Sequence, residues 1–168
     1  MSTRQPTKSD LVQLAKALAI FGVEYALIGG TAMAVHGFSR ATKDIDLLLP
    51  VSADNNARLL QALASIPGTS EALGTLRRER MDKGHSTALE GEIDVDLLYV
   101  AADQTFESLK AHVQTVIFEG LPVVTLDVDG MLLTKKTSRE TDIPDRLKLE
   151  RLKNALRAQA GGAQLKPK

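Results

Sequence analysis

The chain contains no cysteine and no tryptophan, and its aromatics stop at two Tyr and four Phe in 168 residues. Without cysteine there is no disulfide, no thiolate metal site and no cysteine nucleophile. With so few rings the core has to be built from Leu, Ile, Val, Ala and Met, and little is left for stacking on bases. No apolar run approaches the ~20 residues of a membrane span. The first ten residues, MSTRQPTKSD, are polar and lack the apolar stretch of a secretory signal. What remains is an ordinary globular composition, 43% apolar and 25% charged, with no net charge. The length is close to the ~150 residues of a typical domain. These features predict a soluble, cytoplasmic protein with one domain over residues 1–160 and a flexible tail over 161–168.

The zero net charge hides an uneven distribution. Residues 1–50 carry five Lys/Arg against four Asp/Glu, residues 51–130 six against thirteen, and residues 131–168 ten against four. Such segments are either solvated faces, or an acidic centre that collects cations beside a basic arm that attracts polyanions.

Apolar periodicity predicts a first helix capped by Ser9 or Asp10, with Leu11, Leu14, Ala15 and Leu18 on one stripe and Gly22 ending it. Residues 25–28 read as a short buried strand stopped by Gly29-Gly30, and Thr31 as the cap of a brief helix that Gly37 closes. Ile45 to Leu49 reads as a second strand, followed by a helix over 54–64 capped by Ser52. Residues 69–83 read as a mobile loop with a basic face formed by Arg77, Arg78, Arg80 and Lys83. A hairpin follows, His85–Leu89 with Ile93–Val100, then a short helix over 105–111 and a strand over 113–118. Val123-Val124 is a short edge segment, 127–136 a helix, and Asp142 with Pro144 starts a last helix from Asp145 to about Gln159. The class this predicts is α/β of the α+β kind: a small mixed β-sheet with helices packed mainly on one face.

The residues that carry chemistry lie in two strands. Asp44 and Asp46 are two apart in an apolar segment, so period two puts both on one face and Ile45 and Leu47 on the other. Glu92, Asp94 and Asp96 repeat the pattern. Acids crowded in this way repel one another and resist desolvation, unless their face is solvated or cations hold them. Two such faces on neighbouring strands make a cluster of hard oxygen ligands suited to magnesium. Zinc does not suit it, since only His36, His85 and His112 are available and Cys is absent. Gly29-Gly30-Thr31 joins strand to helix, where bare backbone N–H groups can hold a phosphate.

Gly29-Gly30, thirteen residues, then Asp44-Ile45-Asp46, and a later strand with a further Asp, resemble the nucleotidyltransferase (DNA polymerase β-like) superfamily. The string GGTAMAVHGFSRATKDIDLLL looks most like its small prokaryotic members, the minimal nucleotidyltransferases and the abortive-infection toxin type. The likeness is strong over 25–49, fair at 92–100 and loose at 126–153. Thr31 stands where many members have Ser, which retains the hydroxyl. The resemblance implies the nucleotidyltransferase fold, with Gly29, Gly30 and Thr31 on the triphosphate. It also implies Asp44 and Asp46 on two magnesium ions, for which manganese can substitute. The third carboxylate is Asp96 or Asp94; in the family it helps hold metal and can take the proton of the attacking hydroxyl. Two ions ~4 Å apart would clamp an in-line displacement at the α-phosphate and release pyrophosphate.

Supporting residues read two ways. Arg40 and Lys43 neutralise phosphates or shape their loop, and Lys135 meets the γ-phosphate or is a solvated helix residue. His36 reads as a packed, hydrogen-bonded histidine, and Asp127 and Asp129 as helix caps. The activity implied is transfer of a nucleoside monophosphate from an NTP such as ATP to a hydroxyl acceptor, which is RNA, a protein side chain or a small molecule. The basic last helix leans toward a polyanion or a partner protein, as in toxin–antitoxin pairs; no membrane is implied. The alternative is a non-catalytic nucleotide-sensing or partner-binding module on the same fold.

Overall fold

The computed structural model describes residues 3–38, 42–135 and 142–165, the side chains of 142 and 161–165 aside. The first helix, α1 (Lys8–Ile20), starts one turn earlier than Ser9 or Asp10 would set it, because Thr7 and Asp10 form a capping box. The Thr7 amide donates to Asp10 Oδ2 at 2.7 Å, and the Asp10 amide donates to Thr7 Oγ1 at 3.3 Å. Arg4 reinforces the box with two bonds to Asp10, of 2.6 and 2.8 Å. Gly22, at φ +66°, reverses the chain after α1 as expected.

Strand β1 (Ala26–Ile28) runs directly into α2 (Gly29–Val35), and β2 (Asp44–Leu48) follows. Thr31 lies inside α2 and does not cap it, since the helix begins at Gly29 with no side-chain cap. Next come α3 (Ala53–Ala64), α4 (Pro67–Ser70) and α5 (Arg78–Asp82), then β3 (Thr87–Glu90) and β4 (Asp94–Leu98). Residues 69–83 are therefore not a loop but short helical turns. Thr69 Oγ1 donates to the Leu63 carbonyl at 2.6 Å, and Met81, 1% exposed, anchors α5 in the core. The expected helix over 105–111 is replaced by turns and a 3₁₀ turn at Lys110–His112. There Thr105 and Ser108 cap each other's amides, which competes with a helix.

Strands β5 (Val113–Phe118) and β6 (Leu121–Leu126) form a hairpin whose turn residues, Glu119 and Gly120, both have positive φ. Two helices, α6 (Val128–Thr134) and α7 (Asp142–Leu165), complete the described elements, and α7 runs past Gln159 through Gly161-Gly162.

The strands form one mixed sheet in the order β3-β4-β2-β1-β6-β5. Strand β2 is antiparallel to β1 and parallel to β4, which makes the glycine-ended strand and the two acidic strands neighbours. Strand β6 is an interior strand between β1 and β5, not an edge segment, and β5 takes the edge. Ile45, Leu47, Val95 and Leu97 are fully buried, and α1 and α3 pack together and bury Leu14, Leu18, Leu59 and Leu63. Each such side chain contributes roughly 1.5–3 kcal/mol. Alternation leaves Asp44, Asp46, Asp94 and Asp96 on the other face, half-buried. No helix among the described residues is long and apolar enough to cross a membrane.

Candidate active site

Because β2 and β4 are parallel and in register, Asp44 lies beside Asp94 and Asp46 beside Asp96. One carboxylate oxygen each from Asp44, Asp46 and Asp96 fall within 4.8 Å of one another, the one such group among the described residues. Asp94 is on the same face but outside that cluster. Its Oδ1 is buried without a hydrogen-bond partner among the described residues, and so is Asp46 Oδ1.

Burial, the charge of Asp44 and a hydrogen-bonding contact with Asp96 push the Asp46 carboxyl up to about 8. Lys135 opposes this, but more weakly. Without a metal, burial beside two other acids favours the protonated form of Asp46. The fit to a hard divalent cation is good: the donors are all carboxylate oxygens, one is buried and unsatisfied, and a cation would replace the proton. Gly29 makes the arrangement possible. A Cβ at Gly29 would lie 2.1 Å from Asp46 Oδ2, and the residue sits at φ +74°, in the left-handed region that favours glycine.

Gly30 and Thr31 follow Gly29 in the first turn of α2, and Thr31 Oγ1 is buried with no hydrogen-bond partner among the described residues. A cavity of about 450 Å³ is lined by Leu11, Thr31, Ala34, Phe38, Thr42 and Phe118, among others. Thr42 donates to the Asp44 carbonyl at 2.8 Å, which steadies the entry to β2. Lys43 is exposed, and Arg40 lies outside the described residues.

Lys135 is not a solvated residue. It is 7% exposed and forms a 3.0 Å ion pair with Asp145, itself 2% exposed, while its charge still reaches Asp46. His36 is packed as expected, with Nε2 2.8 Å from the Leu126 carbonyl. Asp127 caps α6 through the Gly130 amide at 2.8 Å, while Asp129 pairs with Lys153. The sequence reading missed Asp145. An acid near the start of an amphipathic helix reads as a capping residue, and nothing local marks it as the partner of a lysine on another helix.

Comparison with known proteins finds one family model and two solved structures similar to this chain. The family model described as nucleotidyl transferase AbiEii toxin, type IV TA system, matches residues 13–88, which begin within α1 and take in the glycine turn and β2 but end before Asp96. No curated protein matches the chain. An antigenic nucleotidyltransferase-like protein from Paracoccidioides brasiliensis shares the fold, with a TM-score of 0.53 and 22% identity over 86% of this chain and 75% of its own. A candidate nucleotidyltransferase from Thermotoga maritima superposes with a TM-score of 0.47 and 15% identity, over 92% of this chain and 91% of its own. The glycine turn and both acidic strands thus sit on a fold shared with a nucleotidyltransferase-like protein, in a chain that is similar over residues 13–88 to the AbiEii nucleotidyl transferases.

Proposed function

We propose that this protein moves a nucleoside monophosphate from an NTP to a hydroxyl acceptor, with magnesium held by Asp44, Asp46 and Asp96. The observation that carries this reading is the convergence of the three carboxylates under Gly29, with an oxygen of Asp46 buried and unsatisfied. Bound there, divalent ions would neutralise the phosphates and the charge that develops in the displacement. Asp94, next to Asp44 in register, is available to the same cation shell.

The protein's own groups account for the rest. Backbone N–H groups of Gly29 and Gly30, with the Thr31 hydroxyl, hold the triphosphate. Lys135, fixed by Asp145, lends positive charge to the phosphate end, and Lys43 and Arg40 stand at the entry to β2. As the acceptor oxygen bonds to the α-phosphorus, the bond to the β-phosphate oxygen breaks and pyrophosphate leaves. Asp96 takes the hydroxyl proton. The toxin description of the matched family, and the cationic α7 residues Arg146, Lys148, Arg151, Lys153 and Arg157, favour a role in a toxin–antitoxin pair, with an antitoxin protein or RNA as partner.

Pyrophosphate release tests the reading, measured with each of the four NTPs against RNA, protein and small-molecule acceptors. Release is expected in magnesium, none in EDTA, and almost none from Asp46→Asn. Release that persists in EDTA, or at the parent rate in Asp46→Asn, would overturn it.

A further inference from the structure

Arg77, Arg78, Arg80 and Lys83 stand out in the most acidic part of the sequence, and the reaction proposed above uses none of them. Next to them is a cavity of about 230 Å³, lined by Arg77, Arg80, Met81, His85, Ser86 and Thr87 and by no carboxylate. The side chains of Arg77, Arg80 and His85 make no hydrogen bond or ion pair among the described residues.

The neighbouring acid is already engaged. Asp82 accepts from Arg78 Nε at 3.0 Å and from Asn56 Nδ2 at 2.9 Å, and these bonds hold its carboxyl below the usual range. Asn56 Oδ1 in turn accepts from the buried Tyr99 hydroxyl at 2.7 Å, and Arg78 also donates to the Ala53 carbonyl at 2.7 Å. This network pins α5 to α3 and to the end of β4, and neither Asp82 nor Glu79 of the same helix lines the cavity. Gly84, at φ +84°, folds the chain back so that the His85 amide donates to the Arg80 carbonyl at 3.0 Å. Ser86 Oγ accepts from the Tyr99 amide at 3.0 Å, which leaves its O–H to donate.

The result is a concavity of donors, with two guanidinium groups, an imidazole and hydroxyls beside the buried Met81. Guanidinium forks match the oxygens of a phosphoryl group, and such charge-assisted bonds are the strong ones. Thr87 pairs with Leu97 and so shares the buried sheet face, not the face of Asp96. An anion held here is separate from an NTP at the carboxylates.

We propose that this cavity is a phosphate-binding site, which takes the phosphoryl group of a phosphomonoester or of a nucleic-acid backbone. The test uses the full chain in EDTA, so that no divalent ion joins phosphates to the carboxylates. Inorganic phosphate, ribose 5-phosphate and a single-stranded RNA dodecamer are titrated into the parent, Asp46→Asn and Arg77→Gln/Arg80→Gln. Affinity is expected to be the same in parent and Asp46→Asn, and at least ~10-fold weaker in the double variant. Arg80→Lys, which keeps the charge and loses the fork, should fall between. RNA bound more tightly than phosphate, with the same loss, identifies a backbone as the source; binding of the two small phosphates alone identifies a monoester. Arg77 and Arg80 are exposed and make no bonds, so the double variant should melt with the parent. If it does not, single Arg80→Gln decides. No saturable binding by the parent, or equal binding by parent and arginine variants, overturns the proposal.

Discussion

Asp46 is governed by its burial and by two other acids, and only weakly by Lys135. Between about pH 4, where the unfolded carboxyl titrates, and about pH 8, the folded chain holds a proton that the unfolded chain has lost. Stability of the metal-free protein should therefore fall as pH rises through that window, a trend that melts in EDTA at pH 5 and pH 8 will read. Asp46→Asn keeps the size and removes the charge. It should melt at or above the parent at pH 8 in EDTA, converge with it at pH 5, and lose activity by ~100-fold or more. A structural aspartate would behave the other way, with a lower melting temperature and activity reduced in proportion. Gly29→Ala places a methyl group against Asp46 and forces a left-handed backbone on alanine. A loss of ~2 kcal/mol or more is expected, together with loss of turnover; at ~2–4 °C per kcal/mol for this size a melt will resolve it.

At the scale of elements, the N-terminus of α1 is held by a clamp that spans the chain. Arg4 bonds Asp10 in the capping box, and its side chain and amide both reach Glu92, just before β4. Arg4 and the Thr7 amide hold the Asp10 carboxyl down at about 2. This contribution is complete above the ordinary carboxyl range near pH 4 and is lost as pH falls through about 2. Arg4 is 43% exposed, so screening limits the ion pair. Arg4→Ala should lower the melting temperature only slightly at pH 7, and that difference from the parent should vanish near pH 2. The joint between α6 and α7 is different, because Lys135 and Asp145 are both buried. Asp145→Leu leaves a buried ammonium without this partner and should cost ~3–5 kcal/mol in chemical denaturation. Lys135→Met/Asp145→Leu should recover most of that stability and none of the activity.

For the whole molecule, ligand linkage is the sharpest measurement. Manganese should raise the melting temperature more than magnesium, following the usual affinity order. Either ion should act more strongly at pH 8.5 than at pH 6, where the proton on Asp46 competes. NTP and metal should assist each other, whereas NTP in EDTA should leave the carboxylate site untouched. At 100 times the Kd, binding adds ~2.7 kcal/mol, well within reach of a thermal melt. Equal NTP affinity with and without divalent ions would count against the assignment.

The sequence alone determined whatever depends on near neighbours. Alternation in DIDLL and DVDLL put the acids on one face, the glycine pair ended β1, and the leucine stripe of α1 marked its buried side. Asp127, which caps the amide of Gly130 three residues on, was legible for the same local reason. The tertiary structure decided whatever depends on pairing between distant segments. Whether Asp94 or Asp96 joins Asp44 and Asp46 hangs on the parallel register of β2 and β4. That register is set by Ile45 against Val95 and Leu47 against Leu97 on the opposite, buried face; a shift by one residue would turn every acid into the core. Residues 69–83 read as a loop because their helical turns are held by Leu63, Asn56 and the core around Met81, not by their own pattern. Of the two readings of Lys135, the solvated helix residue fails because Asp145 comes to it from another helix. Burial and charge pairing are properties of the packed chain, and no window of the sequence contains them.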